Sequence, residues 1–395
     1  MNIDSNPYLA AVMRAVRSGR PMLPEDQPFF TRVEKVPAGN YVEVWFRTGG
    51  CTWDRAGGCT MCNYGFGSKV DAPGAVASVA AAMSQLPAHP HELMISPSGG
   101  MWDPLEVPPE ALQPIYRMAA QAGPERFFVE TRAETVSAER LAEMRAELPS
   151  TNLAVEVGLE SAYDPVLVYC VNKGSGVATF RKAADLVRAA GAQMYANVSL
   201  GTAFLTRASA VRDAVGTVSW VLDNGADTAV LFPLHIKPYT LLSFLAERGR
   251  YQPMTLWDLV EALSVLGPER THRVEIAWYK SYYDTSKKIT TSPTGCARCH
   301  DRLLTQLDRY RATLDFALID ELAAHRCDCA PPPVADEPEE SADSIADGVL
   351  RHYDALAADL GLEKSWSTWR PRLEPSVRRA FAGYRPEVDR VPMAH

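Results

Sequence analysis

The sequence predicts an α/β protein built on a parallel sheet with crossover helices. Short runs rich in β-branched and aromatic residues alternate with amphipathic helical stretches, which is typical of repeated strand–helix units. The 395 residues, of which 47% are hydrophobic and 22% charged, suffice for a large folded domain with additions. This balance is that of a globular chain and excludes a disordered one.

The elements of this sheet are predicted from the same periodicity. Six strands are expected, at Val42–Phe46, Glu92–Ser96, Arg126–Glu130, Asn152–Glu160, Gln193–Leu200 and Thr228–Leu234. Helices are expected between them, at Gly74–Leu86, Pro109–Ala122, Ser137–Leu148, Ala178–Ala190 and Ala208–Asn224. Several of these helices end at or next to glycine, as helix C-termini prefer.

The chain divides into five predicted regions. Residues 1–40 are an N-terminal extension, 41–250 the core of strand–helix units, 251–330 a smaller C-terminal module, 331–347 a linker and 348–395 a helical tail. The module holds one more strand candidate at Val274–Tyr279 and four cysteines. The linker prediction rests on a segment rich in proline and acids with almost no large apolar side chain.

Charge and hydropathy limit the function classes. The formal net charge is −8, so nothing global attracts the chain to phosphate backbones, and a nucleic-acid substrate would need a local basic surface. No run of eighteen or more apolar residues occurs, and the N-terminus lacks the pattern of a secretory leader. Eight cysteines are too few for a disulfide scaffold in a chain of this length. We therefore expect a cytoplasmic protein with reduced thiols.

Three cysteines form the first group of candidate metal ligands. Cys51, Cys59 and Cys62 lie in GGCTWDRAGGCTMCNYG directly after the first predicted strand, where parallel sheets display reactive loops. The glycines allow the loop to fold back so that the thiolates converge. Three thiolates without an adjacent histidine suit a cubane iron–sulfur cluster whose fourth iron takes an outside ligand. A zinc site with a distant fourth ligand, or three buried cysteines without a role, are the alternatives.

Four cysteines near the C-terminus form a second group. Cys296, Cys299, Cys327 and Cys329 make a CxxC and a CxC pair, a spacing typical of a closed metal site. Zinc and an auxiliary iron–sulfur cluster both fit four thiolates. His300 and His325 are possible replacement ligands, and two disulfides are the alternative that a reducing compartment disfavours. The remaining cysteine, Cys170, is predicted to pack as a small apolar side chain.

The first cysteine loop resembles that of the radical S-adenosylmethionine (SAM) superfamily. The usual spacing there is CxxxCxxC, whereas this chain has CxxxxxxxCxxC. Long first gaps occur in the branch of the Elongator and archaeosine synthase radical subunits, to which GGCTMCNYG is similar. The resemblance covers roughly residues 40–330 and includes SPSGGMWDPLEVP at Ser96–Pro108, ETR at Glu130–Arg132, VEVGLES at Val155–Ser161 and VNKG at Val171–Gly174.

This resemblance implies a partial (β/α)6 parallel barrel of radical SAM type, followed by the four-cysteine module and the helical tail. It implies a [4Fe–4S] cluster on Cys51, Cys59 and Cys62, and S-adenosylmethionine as the second cofactor. Residues that would contact this cofactor through backbone groups, or at its ribose and carboxylate, are Ser98, Gly99, Gly100, Glu130, Arg132 and Glu160. No catalytic residue is assigned.

The implied activity is reductive cleavage of S-adenosylmethionine to a 5′-deoxyadenosyl radical that abstracts a hydrogen atom from a substrate. Because of the net charge, a small biosynthetic molecule is the predicted substrate, with flavodoxin or ferredoxin as electron donor. A radical lyase that modifies a tRNA base, similar to the archaeosine synthase radical subunit, is the alternative. A non-catalytic zinc-binding interaction protein and an electron-transfer protein represent other classes.

Several further residues admit two interpretations. His235, at a predicted strand end, contacts substrate or is a structural hydrogen-bonding residue. Asn172 and Lys173 either have a role in the VNKG segment that resembles the radical SAM branch or form a surface turn. The aromatic run of Trp278, Tyr279, Tyr282 and Tyr283 is predicted to pack rather than to stack on a substrate ring.

Overall fold

A computed structural model describes residues 6–21, 28–65, 67–86, 89–281 and 291–386. In this part of the chain, eight strands form one sheet in chain order. They are β1 (Phe29–Val36), β2 (Gly39–Phe46), β3 (Glu92–Pro97), β4 (Arg126–Thr131), β5 (Asn152–Glu160), β6 (Gln193–Leu200), β7 (Thr228–Pro233) and β8 (Val274–Ile276). Strand β1 pairs antiparallel with β2, and each later pair of neighbours is parallel. The sheet curls into a half-barrel.

Helices connect the strands and cover the convex side of the sheet. The α-helices are α1 (Pro7–Val16), α2 (Thr52–Ala56), α3 (Ala72–Met83), α4 (Pro109–Ala122), α5 (Ala138–Glu147), α6 (Asp164–Val166), α7 (Val177–Ala189), α8 (Arg207–Asp223), α9 (Leu241–Ala246), α10 (Leu256–Leu266), α11 (Pro268–Thr271), α12 (His300–Thr313), α13 (Ala317–Ala324), α14 (Ala342–Asp359) and α15 (Glu363–Ala382). Short 3₁₀ turns occur at Ala133–Thr135 and Val334–Asp336, and a π-helical turn at Leu167–Val171. Side-chain oxygens of Asp71, Ser137 and Thr206 accept backbone N–H groups at the starts of α3, α5 and α8.

The predicted α/β class and partial parallel barrel are confirmed. The six predicted strands correspond to β2–β7, and the candidate at Val274–Tyr279 appears as β8, which pairs parallel with β7 as a further strand of the sheet. The sequence predicts no strand at β1, and its burial pattern explains why. Val33 is 49% exposed, whereas the side chains of Arg32 and Glu34 are only 10% and 9% exposed. Because the charged side chains of β1 are buried and the apolar Val33 is exposed, the sequence lacks the alternation that predicts a strand with one apolar face.

The two faces of the sheet differ in composition. Because strand side chains alternate, Val42, Val44 and Phe46 of β2 point into the main apolar core against the helices. The intervening side chains line the concave face, where a smaller cluster includes Tyr41 and Phe128. Carboxylates and aromatic rings therefore share the inside of the half-barrel, which is where a substrate cavity lies in such folds.

The C-terminal helices pack on the N-terminal one. Tyr8 of α1 lies with its ring centroid 5.3 Å from that of Tyr353 in α14 and 4.3 Å from that of Trp366 in α15. Within the segment predicted as a linker, the carbonyls of Val334 and Glu337 each accept a hydrogen bond of 2.8 Å from the Arg212 guanidinium. This segment therefore lies against α8.

No helix in the described ranges has the length and hydropathy needed to cross a bilayer.

Candidate functional site

The loop that carries the first three cysteines leaves the C-terminal end of β2 and folds back on itself. The Cys51 N–H donates to the carbonyl of Tyr64 at 3.2 Å, which closes the loop. Gly50 next to it has a φ of +80°, and a Cβ there would collide with the same carbonyl. Only glycine fits this closure, because other residues avoid positive φ and would also clash. Cys51, Cys59 and Cys62 are thereby placed at one edge of the half-barrel.

Arg17, the residue directly after α1, supports the loop through its buried side chain. The guanidinium of Arg17 donates to the carbonyls of Asp54, Gly57, Cys59 and Cys62, with distances of 2.8 Å to Asp54, 3.0 Å to Cys59 and 2.7 Å to Cys62. It also pairs with the Asp54 carboxylate at 2.6 Å. The backbone that positions two candidate ligands is therefore fixed by one side chain, and no local sequence pattern indicates this.

The VNKG segment packs against the same loop from the barrel side. The Asn172 side chain donates to the Gly58 carbonyl at 2.8 Å, and the Trp53 indole donates to the Asn172 carbonyl at 2.8 Å. The Thr60 N–H donates to the Val171 carbonyl at 2.9 Å. Asn172 is thus a scaffold residue of the cysteine loop rather than a surface turn.

The glycine segment after β3 is tied to the cysteine loop by two carboxylates. Glu106 accepts from the N–H groups of Gly100 at 2.5 Å and Thr52 at 2.7 Å. Asp103 accepts from the Thr52 hydroxyl at 2.9 Å and from Arg132 at 2.5 Å. Arg132 also pairs with Glu106. This network holds the two loops at a fixed separation, and the sequence prediction does not include its two acidic residues.

The residues predicted to contact S-adenosylmethionine all lie near this network or at the strand ends. The Ser98 hydroxyl lies 3.1 Å from that of Thr48, and a Cβ on Gly99 would collide with the Glu106 carboxylate. Arg132 lies 3.6 Å from the Cys51 sulfur and is also bound to Glu134 at 2.8 Å. The Arg132 guanidinium thus forms ion pairs with several carboxylates of the protein. Its contact with the cofactor remains a prediction.

Glu160 occupies the end of β5, where the register shifts. It has a φ of +77°, which is uncommon for a residue with a side chain. Its carboxylate accepts from Lys173 at 3.1 Å and from Ser199 at 2.5 Å. Burial opposes the charge on Lys173, but Glu160 and Cys59 outweigh burial and raise the pKa of the ammonium group. Lys173 is therefore a fixed positive charge beside the cysteine loop.

The three thiols fit an iron–sulfur cluster by their charge environment. Burial raises the pKa of Cys62 to about 12 and also raises the pKa of Cys51 and Cys59, so the metal-free thiols are neutral. Basic groups that favour their ionised form, as metal binding requires, are Arg17, Arg132, Lys173 and Lys237. These cations compensate the negative charge that thiolates bring to a buried site.

The spacing of the same thiols also fits a cluster better than one ion. Among the described residues, the only group whose ligand atoms all lie within 4.8 Å of one another is the four-cysteine group. Cys51, Cys59 and Cys62 are therefore more widely spaced than ligands of a single metal. A cubane binds each thiolate to a different iron and accommodates that spacing.

The cysteine loop opens onto a cavity of about 170 Å³ inside the half-barrel. Cys62, Gly99 and Glu160 line it at the loop end, while Glu156 and Tyr195 line it farther down the strands. The cavity therefore extends from the candidate cluster site into the concave face.

His235 lies in the cavity wall and is 4% exposed. One ring nitrogen, Nε2, is hydrogen-bonded to the Trp278 carbonyl, whereas the buried Nδ1 has no partner in the described structure. Burial and the nearby Lys237 lower the pKa of His235 to about 4, so the ring is neutral. With Nε2 donating, Nδ1 is an acceptor.

The second cysteine group forms a compact site where the segment before α12 meets the segment after α13. The sulfur of Cys296 lies 3.7 Å from those of Cys299 and Cys327, and Cys299 lies 3.5 Å from Cys329. A tetrahedral zinc ion with Zn–S bonds of about 2.3 Å places its sulfurs about 3.8 Å apart. The four thiols are thus arranged for one metal ion.

Neither nearby histidine belongs to this site. Nδ1 of His300 accepts from the Gly295 N–H at 3.3 Å, and Nδ1 of His325 is hydrogen-bonded to the Glu321 carbonyl at 3.0 Å. The backbone N–H of Arg298 and neighbouring thiols lower the pKa of Cys296 to about 6, which favours its metal-binding form.

The other residues considered in the sequence have simpler positions. Cys170 is fully buried in the apolar core. Tyr279 is also fully buried and donates to Asp308 at 2.5 Å, whereas Trp278 lines the cavity. Tyr282 and Tyr283 lie outside the described residues.

Comparison with known proteins finds similarity to two curated proteins. No protein-family model matches the chain. Archaeosine synthase subunit beta of Thermococcus kodakarensis is 28% identical over 244 residues, which make up 59% of this chain and 71% of that protein. The same subunit of Methanosarcina acetivorans is 26% identical over 290 residues, or 72% of this chain and 79% of that protein. The chain is similar to both of these beta subunits.

Among solved structures, Elp3 of Methanocaldococcus infernus is similar with a TM-score of 0.47 and 16% identity, covering 64% of this chain and 60% of that chain. The predicted relationship to the radical SAM branch of Elp3 and archaeosine synthase is confirmed. The prediction that this protein is an enzyme is confirmed. The non-catalytic alternatives are set aside.

Proposed function

We propose that this enzyme binds a [4Fe–4S] cluster at Cys51, Cys59 and Cys62 and uses it to cleave S-adenosylmethionine above the half-barrel cavity. The observation that carries the proposal is the cysteine loop itself. Its three partly buried cysteines have cations nearby, and Cys62 lines that cavity. When bound, the cluster would supply the electron that breaks the sulfur–carbon bond of S-adenosylmethionine, leaving methionine and a 5′-deoxyadenosyl radical.

The protein contributes position and charge. The network of Glu106 and Arg132 keeps the glycine segment against the cysteine loop, so that Ser98, Gly99 and Gly100 are fixed where a methionyl group would lie. Lys173 and Lys237 hold positive charge near Cys59 and Cys62. A fixed arrangement of this kind lowers the entropic cost of bringing cofactor and substrate together.

For the substrate, we favour a modified base in tRNA and a radical lyase reaction. The support is the similarity to two archaeosine synthase beta subunits, which favours the tRNA alternative over the small molecule predicted from net charge. The comparisons support neither the small-molecule substrate nor the flavodoxin or ferredoxin donor. The net charge of −8 then requires a local basic surface for the RNA.

For the second metal, we propose one structural zinc ion on Cys296, Cys299, Cys327 and Cys329. Sulfur separations of 3.5–3.7 Å support a single tetrahedral ion rather than an auxiliary cluster, whose thiolates would sit on separate irons. All four positions are taken by protein ligands, which is typical of a structural site.

Anaerobic reconstitution with iron and sulfide tests the cluster and the cofactor together. The wild-type protein should form 5′-deoxyadenosine from S-adenosylmethionine when a strong reductant is added. Alanine variants of Cys51, Cys59 and Cys62 should lose both iron and product, whereas Cys170→Ala, at a core cysteine that belongs to neither metal site, serves as the matched control and should keep both. Equal product from a Cys59→Ala variant would refute the assignment.

Binding of tRNA tests the substrate. Affinity for unfractionated archaeal tRNA should fall steeply as salt rises, because phosphate contacts release counterions. Mass spectrometry of the tRNA nucleosides after reaction should show a modified guanine derivative altered by the enzyme. If tRNA neither binds nor changes while S-adenosylmethionine is cleaved, the small-molecule prediction is restored.

A further inference from the structure

The inside of the half-barrel contains a group of carboxylates that the proposed cofactor contacts do not use. On β5, Glu156 and Glu160 both line the cavity. Glu160 lies at the cysteine loop after a register shift, and Glu156 lies three β6 residues, or about 10 Å, farther along the sheet. A ligand at Glu156 would thus lie deeper in the cavity than the cofactor.

Glu156 lies among groups of the same sign. In the sheet register it is directly opposite Glu130 of β4, and Glu275 of β8 and Glu43 of β2 also repel its charge. Its hydrogen-bond partner is the neutral side chain of Asn197, which is 9% exposed. By contrast, Glu43 is paired with Arg32 at 2.5 Å and Glu160 with Lys173 at 3.1 Å.

Aromatic rings form the adjacent wall of the cavity. Tyr195 lies next to Glu156 in the register of β5 and β6. Its ring centroid is 4.9 Å from that of Phe128, and both side chains line the cavity. Carboxylate acceptors beside aromatic side chains are the combination by which enzymes read the edge of an extruded base while its face is stacked.

The acceptors around Glu156 favour a ligand that donates hydrogen bonds. In its ionised form the Glu156 carboxylate only accepts, and the buried Nδ1 of His235 in the same cavity is an acceptor without a partner in the described structure. Adenine presents a donor next to an acceptor, whereas guanine presents a ring N–H next to an exocyclic amine. Paired donors of that kind match the acceptors of Glu156.

We propose that Glu156 and Asn197, on neighbouring strands inside the half-barrel, bind the donor edge of a guanine-type base and determine the specificity of the enzyme. This inference rests on the proposed function because it names the part of the substrate that enters the same cavity. Glu156 is a specificity-determining residue here, and the bond-breaking chemistry takes place nearer the cysteine loop.

Equilibrium binding to the full-length protein without cluster tests this site separately from the radical chemistry. Guanosine, inosine and adenosine are compared by calorimetry, since inosine lacks the exocyclic amine. Above about pH 8, where the Glu156 carboxyl is ionised, guanosine should bind most tightly, and Glu156→Gln should weaken it by about tenfold or more, the scale of one two-point contact to a base edge. Glu139→Gln, at an exposed position of α5, is the matched control and should leave all affinities unchanged.

A pH series adds a second readout. Burial and Glu130 raise the pKa of Glu156 to about 8, with Glu275 and Glu43 acting in the same direction. Raising the pH through this value ionises the carboxyl, so guanosine should bind more tightly to the wild-type protein. In Glu156→Gln, guanosine affinity should no longer depend on pH. A cooperative unfolding curve shows that this variant is folded.

Two outcomes would overturn the inference. One is equal affinity for the three nucleosides in the wild-type protein, and the other is equal affinity for guanosine and methylguanidinium, which would indicate a site for simple cations. Formation of 5′-deoxyadenosine without substrate is measured in parallel on reconstituted protein. If wild-type protein forms none, the proposed function fails while the nucleoside result still decides the role of Glu156.

Discussion

Arg17 offers a direct test of how the cysteine loop is held. Its side chain is 8% exposed, donates to four loop carbonyls and pairs with Asp54, whose side chain is 1% exposed. Replacing it with glutamine removes the positive charge and leaves at least two carbonyls and part of the Asp54 carboxylate without donors. Breaking a buried ion pair from one side typically costs about 3–5 kcal/mol.

Part of the Asp54 carboxylate stays satisfied in such a variant. Arg20 pairs with it at 2.8 Å, and the Gly65 N–H donates to it at 2.6 Å. We therefore expect the lower end of that range, about 3 kcal/mol, for Arg17→Gln. Arg17→Lys keeps the charge but not the branched donor geometry, and we expect it to cost about 1–2 kcal/mol.

The assay combines denaturant unfolding of the metal-free protein with iron analysis after reconstitution. Arg17→Gln should unfold at a lower denaturant concentration and retain less iron per chain, because the backbone carbonyls of Cys59 and Cys62 are no longer held by the guanidinium. Arg14→Gln, on the exposed side of the same helix, is the control and should match the wild type. Wild-type stability and iron content in Arg17→Gln would refute the positioning role.

Three further predictions follow from charges and ligands elsewhere in the chain. Glu106→Gln should cost about 3 kcal/mol in unfolding free energy, since Arg132 loses a buried partner, while the exposed Glu110→Gln should cost almost nothing. Cys327→Ala should remove one zinc per chain by metal analysis and leave the iron of the other site in place, and loss of both metals would contradict two independent sites. Burial raises the pKa of Asp213 to about 7, although Ser161 and Tyr384 donate hydrogen bonds to its carboxylate. Because the folded-state pKa is raised, the contribution of Asp213 to stability is fully present below its unfolded pKa and is lost as pH rises through about 7. The shift from 3.8 to about 7 corresponds to about 4 kcal/mol of stability, lost between about pH 4 and pH 7. Over that range Asp213→Asn should be less sensitive to pH than the wild type in denaturant unfolding, and parallel pH profiles would refute the prediction.

The sequence predicts the features of this site that depend on local pattern. Alternating strands and helices identify β2–β7, and the cysteines after the first predicted strand locate the loop at the edge of the half-barrel. Both signals lie within short windows of sequence. The compact four-cysteine group is likewise predicted from CxxC and CxC spacing, although the choice between one ion and a cluster needs the sulfur separations.

The supporting residues are not predicted, because their roles depend on contacts between distant segments. Arg17 lies outside the part of the chain that resembles the radical SAM branch, and only folding brings it to the Cys59 and Cys62 carbonyls. Strand β1 is missed because its charged side chains face inward. The sequence does carry a signal for Glu156, because VEVGLE places a second glutamate four residues before Glu160 in a predicted strand.

The four-cysteine site and the cavity are connected through one helix. Cys299 lies at the start of α12, and near its end Arg311 donates to the Ile276 carbonyl and pairs with Glu34 of β1 at 2.5 Å. Arg311 also lines the cavity and acts on the pKa of Glu275, which burial raises and this arginine lowers. A metal ion bound at the start of α12 would therefore restrain Arg311, which lines the cavity. Removing that ion should alter guanosine affinity without touching the cysteine loop, which separates a structural metal from one that takes part in electron transfer.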